Sequence, residues 1–245
     1  MKIVKSVLAR IFALWALIVF VVSMLITVLA VLIIRAFQEP KRSKILHYIF
    51  RAWMKIFFVL VGVKRIFKGE ENFKRGENYI VVCNHNSFVD VLLASPGIPG
   101  PNKTIAKVEL SRIPLFGVIY KTGSVLVDRR NDASRKKSYV KMKTVLQRGL
   151  HMCIYPEGTR NKTSQPLQRF HDGAFKLSVE TRKAILPAVI FYTNKVLPPK
   201  EFFYFWPHKV EMHFLPQVPP NDLTPAELKE KVFYIMKTYF TNNKE

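Results

Sequence analysis

The stretch YIVVCNHNSFVDVLLA, residues 79–94, decides the fold. Tyr79 to Cys83 is a short apolar run rich in β-branched side chains, the pattern of a strand buried on both faces. Asn84 to Ser87 interrupt it with four polar residues, and Val91 to Ala94 resume as the start of a helix. His85 therefore sits at a strand end and Asp90 near a helix start. Strand ends are where open α/β sheets gather their ligands.

Working outward, the same alternation recurs. Strands are expected at Thr104 to Lys107, Ser124 to Val127, Leu150 to Tyr155, Ile185 to Tyr192 and Lys209 to Leu215. Helices are expected at Asp132 to Arg148, stopped by Gly149, and at Gly173 to Glu180, with Asp172 as its cap. In the last helix Thr224 is the N-cap and Pro225 the first helical residue. Leu228, Val232, Ile235, Met236 and Tyr239 form its apolar stripe. Strands alternating with helices predict an α/β fold, a single domain with a mixed central sheet flanked by helices.

Ahead of that domain the pattern changes. Ile11 to Ile34 is a run of 24 residues without a charge, bracketed by Arg10 and Arg35. At about 1.5 Å per residue it is long enough to cross a hydrocarbon core of roughly 30 Å. It runs into Arg35 with no small-residue cleavage site, which favours a retained anchor over a secretory signal. After Pro40, residues 44–62 carry His47, Arg51 and Lys55 on one stripe. Trp53, Met54, Phe57 and Phe58 lie on a broad apolar face, which suits a helix lying in a membrane interface, the reading the cations favour, or a core helix of the soluble domain. The expected division is 1–62, a two-helix membrane-anchoring module (hydrophobic 11–34, amphipathic 44–62), and 63–245, a catalytic domain. Both flanks of the anchor are basic, so a single span and a re-entrant pair are both compatible with the charges.

Lys and Arg total 39 against 17 acids, a formal charge of +22, which calls for an anionic partner. Nucleic acid, anionic lipid and a phosphorylated substrate all satisfy it. The membrane run beside 14 of those cations before Gly76 selects an anionic phospholipid membrane. No nucleic-acid-binding signature appears. The two cysteines, Cys83 and Cys153, lie in strand-like runs without metal-ligand spacing and read as buried thiols in a reducing compartment.

Three strand ends carry reactive groups. After Cys83 comes His85 with Asp90 five residues on. The carboxylate there can fix one imidazole nitrogen and leave the other to remove a proton from an alcohol. After Tyr155 comes Pro156-Glu157-Gly158-Thr159-Arg160, a tight turn ending in a planar cation suited to phosphate. Glu157 there could bind an acceptor hydroxyl or orient Arg160. After Val127, which closes Gly123 to Val127, come Asp128 and Arg129, a second phosphate clamp or a plain surface ion pair with Arg130. Ser87 opens a hydrolase alternative, although three triad members within six residues rarely reach working geometry and no Gly-x-Ser-x-Gly elbow is present. A non-enzymatic basic membrane protein is the third alternative.

In this order the stretches resemble the lysophosphatidic acid acyltransferase family, the 1-acyl-sn-glycerol-3-phosphate acyltransferases. Asn84 to Asp90 matches its His-x4-Asp block, Gly123 to Arg129 its second, Tyr155 to Arg160 its Pro-Glu-Gly-Thr-Arg block and Leu186-Pro187 its fourth. Phe170 to Gly173 also looks like a family segment. Tyr155 stands where Phe is usual, Asn161 follows where Ser is common, and Ala188 is small. The resemblance implies His85 as general base and Asp90 as its orienting partner. It implies Glu157, Gly158, Thr159 and Arg160 on the acceptor's glycerol phosphate, with Arg129 and Lys107 as helpers. It implies no cofactor, no metal and no acyl-enzyme. Acyl-CoA or acyl-carrier protein would be the cosubstrate and a lysophospholipid the acceptor. Another lysolipid, or an aminolipid such as a lyso-ornithine lipid, is the alternative acceptor. The enzyme would work at the cell membrane, with its catalytic domain on the cytoplasmic face.

Overall fold

A computed structural model describes residues 2–243. Two long helices, α1 (Lys2–Ile34) and α2 (Lys41–Leu60), precede a seven-stranded sheet. The strands are β1 (Arg65–Lys68), β2 (Ile80–Cys83), β3 (Asn102–Lys107), β4 (Ser124–Val127), β5 (His151–Ile154), β6 (Ile185–Phe191) and β7 (Val210–Phe214). Their spatial order is β1-β7-β6-β2-β5-β3-β4. Every neighbouring pair is parallel except β6 and β7, so the sheet is mixed, as expected. The connecting helices are α3 (Val89–Gly97), α4 (Phe116–Gly123), α5 (Asp132–Gln147), α6 (Gly173–Thr181), α7 (Thr193–Val196) and α8 (Pro225–Asn243).

The central strands are buried on both faces, and their side chains alternate between two cores. Val81, Cys83, Cys153, Leu186 and Ala188 face the side covered by α1, α2 and α3. Ile80, Val82, Met152, Ile185 and Val189 face α5, α6 and α8. Because β2, β3, β4 and β5 are parallel, their C-terminal ends open at one edge of the sheet. His85, Lys107, Arg129 and Glu157 arrive there by topology alone.

Several local expectations change. β1 and α4 were not expected: β1 reads as polar because it is a half-buried edge strand, and α4 is only eight residues long. β4 is the opposite edge strand and alternates between buried and half-buried positions, so it is not a fully buried strand. Asp172 precedes α6 but makes no capping bond; its carboxylate takes Lys229 Nζ of α8 at 2.8 Å instead. Thr224 does cap α8, in a reciprocal box with Glu227.

The largest correction concerns α2. Its aromatic face does not look outward to lipid. Trp53, Met54, Phe57 and Phe58 are buried in the same core as Tyr79, Val81 and Leu93, and His47 of the expected cationic stripe is buried too. α1 packs on this assembly throughout its length. Ala9 O accepts from Phe205 N–H at 3.2 Å, Ser23 Oγ accepts from Trp53 Nε1 at 2.9 Å, and Val31 and Ile34 pack on Leu46 and Val118. Ala9 and Val31 are about 33 Å apart along the helix, yet both rest on the same folded body. The opposite face of α1 exposes Ile3, Val7, Ile11, Ile26, Leu29 and Ile33.

Candidate active site

Where β2 ends, Asn84 fixes the departing loop. Its side chain donates to Ile190 O at 2.9 Å and accepts from Ile190 N–H at 2.7 Å, a two-point clamp on β6. The next residue, His85, has its Nδ1 2.8 Å from Asp90 Oδ2. That oxygen also accepts from the N–H groups of Asn86 and Ser87, at 2.6 and 2.7 Å. Two backbone donors already point at it, so it is an acceptor, and its contact with His85 requires Nδ1 to carry the proton. The lone pair is then on Nε2. Asp90 is completely buried, and its Oδ1 has no hydrogen-bond partner.

The ring of His85 stacks on Tyr155 with centroids 4.4 Å apart and planes 30° from parallel. The Tyr155 hydroxyl donates to Asp90 O at 3.0 Å. The phenol thus ties the start of α3 to the end of β5. It is partly buried, and desolvation pushes its ionisation well above the usual range.

Glu157 is part of this scaffold. It is 3 % exposed, its Oε1 accepts from His85 N–H at 2.8 Å, and its Oε2 accepts from Gln168 N–H at 2.9 Å. Asn161 N–H donates to His85 O at 2.6 Å. The backbone of His85 is therefore held on both sides by the turn after β5. Burial pushes the Glu157 carboxyl up to about 7, against the two N–H donors that favour its charged form. Both Glu157 oxygens are turned inward on these N–H groups, and Glu157 is not among the residues lining the cavity that its neighbours Gly158, Thr159 and Arg160 border.

Six of the eight expected residues line one open cavity. His85, Lys107, Arg129, Gly158, Thr159 and Arg160 meet there, joined by Phe88, Tyr120 and Tyr155. Asp90 and Glu157 stand behind its wall. The cavity has a potential base at one end and three cations around it, a combination that fits a phosphate carried close to a hydroxyl. Arg129 donates to Gly158 O, which joins the second strand end to the third. Gly158 has φ +70°, and a Cβ there would lie 2.9 Å from the His171 ring. Only glycine fits this turn without strain. Asp128 makes a surface contact with Arg130: its Oδ1 lies 3.8 Å from the guanidinium Nε and accepts from the Arg130 N–H at 3.0 Å.

An apolar cavity adjoins the first and shares Val91, Thr104 and Tyr120 with it. Trp53, Met54, Phe116 and Ile119 line its far part. Ser87 faces away from hydrolase chemistry. It is completely buried, and its hydroxyl donates to Leu197 O at 2.8 Å. Cys83 and Cys153 are free thiols with sulfurs 4.0 Å apart beneath the site. Among the described residues no cluster suits a metal ion. Sequence reasoning missed Asn84, Asn161 and Gln168, whose partners lie far along the chain, and Tyr120, which α4 brings in.

A family model described as Acyltransferase matches residues 64–191. A 1-acyl-sn-glycerol-3-phosphate acyltransferase of Borreliella burgdorferi is 34% identical over 145 residues, 59% of this chain and 58% of that protein. Human 1-acyl-sn-glycerol-3-phosphate acyltransferase alpha is 32% identical over 187 residues, 74% of this chain and 65% of that protein. The chain thus aligns with less than two thirds of the length of these relatives. The crystal structure of the 1-acyl-sn-glycerophosphate acyltransferase PlsC from Thermotoga maritima superimposes with a TM-score of 0.79 at 24% identity, covering 99% of this chain and 97% of that one. That likeness is one of fold.

Proposed function

The chain belongs to the acyltransferase family, and from that premise we propose that it transfers a fatty acyl group from a thioester to the sn-2 hydroxyl of lysophosphatidic acid, giving phosphatidic acid. The observation that carries this reading is the convergence of His85, backed by Asp90, with Lys107, Arg129 and Arg160 on one cavity.

The steps follow from that convergence. Arg160, Arg129 and Lys107 bind the acceptor's phosphate, and Gly158 and Thr159 shape the turn beneath it. His85 Nε2 takes the proton from the acceptor hydroxyl as its oxygen attacks the thioester carbonyl carbon. Asp90 holds the ring and stabilises the imidazolium. As the carbon–sulfur bond breaks, the imidazolium returns its proton to the departing thiolate, leaving an ester and a free thiol. The reaction needs no covalent enzyme intermediate and no cofactor beyond the acyl-CoA or acyl-carrier protein that brings the thioester. The apolar cavity beside Tyr120 suits an acyl chain.

Membrane association fits the outer face of α1, which is apolar from Ile11 to Ile33. Because the inner face rests on the folded domain throughout, α1 lies against one leaflet rather than crossing the bilayer upright. The thioester then arrives from the cytoplasmic side and the lysolipid from the membrane.

The test is an acceptor and donor panel on purified protein beside His85→Ala. Labelled acyl groups on lysophosphatidic acid with wild type, and none with the variant, are the expected result. Acylation of a lyso-ornithine lipid or another lysolipid instead would overturn the acceptor, and an active His85→Ala would overturn the base.

A further inference from the structure

The segment joining α7 to β7 contains five consecutive aromatic residues, Phe202 to Trp206, that the proposed chemistry does not use. Two of them pack conventionally. Phe205 is buried, and its N–H donates to Ala9 O at 3.2 Å. Trp206 meets Phe12 edge-on at 5.8 Å, with Lys5 Nζ 5.1 Å from its ring. These contacts pin the segment against the first turns of α1.

Held in that position, Phe202 is 89 % exposed, more than any other large apolar side chain described, including Ile3 at the start of α1. Phe203 is also exposed and has φ +46°, a conformation that a bulky residue adopts only when its surroundings impose it. The fold thus holds two phenyl rings out into solvent and keeps them there. They extend the apolar outer face of α1, which exposes Ile3, Val7 and Ile11 at the same end. Lys5, beside the Trp206 ring, and Lys195 and Lys200, just ahead of the tip in the chain, are exposed, against one exposed acid in that segment, Glu201. Exposed aromatics among lysines match the boundary between acyl chains and anionic headgroups.

We propose that the Phe202–Phe203 tip inserts into the interface of an anionic bilayer, as a second membrane contact independent of α1. Phe203 also borders an apolar groove that runs between α1 and Phe88, and Phe88 lines the catalytic cavity. Insertion of the tip sets the mouth of that groove at the lipid surface, beside the site.

The test uses the full chain reconstituted into vesicles of phosphatidylcholine and phosphatidylglycerol. Cys83 and Cys153 are buried, so a single cysteine from Phe202→Cys takes an environment-sensitive nitrobenzoxadiazole label selectively. Tyr234→Cys on α8, exposed across the sheet from α1, is the control. The label at 202 is expected to shift to the blue and brighten roughly twofold or more, as a group at the headgroup boundary does. Lipids brominated near the top of their chains should quench it, and should leave the label at 234 unchanged. Equal, unquenched emission at 202 and 234 overturns the proposal. That readout needs no turnover, so it stands or falls apart from the assigned reaction. A second measurement adds kinetics. F202S should raise the apparent KM several-fold for a long-chain lysolipid in vesicles and leave a water-soluble short-chain acceptor unaffected. An equal change for both acceptors counts against insertion.

Discussion

Asp90 Oδ2 lies 2.8 Å from His85 Nδ1, and the same oxygen is held by the N–H groups of Asn86 and Ser87, which lie between the two residues in sequence. The turn that separates the pair therefore also aligns it. An asparagine at 90 would present an amide that can accept only through its one oxygen, and the imidazole would lose its fixed tautomer. Asp90→Asn is expected to lower kcat by about two to four orders of magnitude, with KM for the acceptor changed only a few-fold. Steady-state kinetics on wild type and variant check this; a kcat within threefold of wild type would remove Asp90 from the mechanism.

Among the described residues the Arg160 guanidinium has no hydrogen-bond or ion-pair partner, and it lines the cavity. Arg160→Ala is expected to raise KM for lysophosphatidic acid roughly 10- to 100-fold, the loss of a charge-assisted contact of about 1.5–3 kcal/mol. The kcat should remain near that of wild type. A neutral monoacylglycerol, tested in parallel, should be nearly indifferent to the change. Equal losses on the two acceptors would show that Arg160 does not read the phosphate.

Tyr155 combines two tasks that substitution separates. Tyr155→Phe removes the bond from its hydroxyl to Asp90 O but keeps the ring under His85. It should cost about 1 kcal/mol of stability and leave kcat within a few-fold. Tyr155→Ala removes the ring as well and should cost about 3–5 kcal/mol, as other large-to-small core changes do, and it should lower kcat strongly. Denaturant melts with rates measured on the same samples distinguish the two; a Phe variant as damaged as the Ala variant would contradict the assignment.

His151 makes stability depend on pH. It is buried, its Nδ1 accepts from Tyr79 N–H at 3.0 Å, and burial lowers its pKa from 6.5 to about 4. The folded state therefore favours the neutral ring. Its contribution is complete above pH 6.5 and is lost as pH falls from 6.5 through 4, up to roughly 3 kcal/mol in the limit. His151→Gln should show a shallower fall in Tm over that interval than wild type. Parallel Tm curves for the two proteins would exclude this linkage.

The sheet was legible because its central strands are uniformly apolar and end in polar turns, and the His85–Asp90 pair because both partners lie in one turn. The support for that pair was not legible. Asn84 reaches Ile190, His85 N–H reaches Glu157, and Ser87 reaches Leu197, and the sequence separations of 106, 72 and 110 residues leave no local pattern. Glu157 was assigned to substrate because a carboxylate beside Gly158 and Arg160 looks available; its burial depends on where Gln168 returns. For α2, periodicity identifies an apolar face but not its neighbour, because lipid and a protein core select the same side chains. β1 carries two basic residues in four, Arg65 and Lys68, and an edge strand has only one covered face to record in its sequence.

The packing of α1 from Ala9 to Ile34 has a practical consequence for anyone seeking a water-soluble version by truncation. Cutting the chain ahead of α2 would not release a free-standing enzyme. It would strip the cover from Trp53 and Phe57 and break the tether between Ala9 and Phe205. The product would be a sticky fragment with an open core. A dispersible form is better sought by replacing the outward residues of α1, such as Ile26, Leu29 and Ile33, with polar ones and leaving its inward stripe intact.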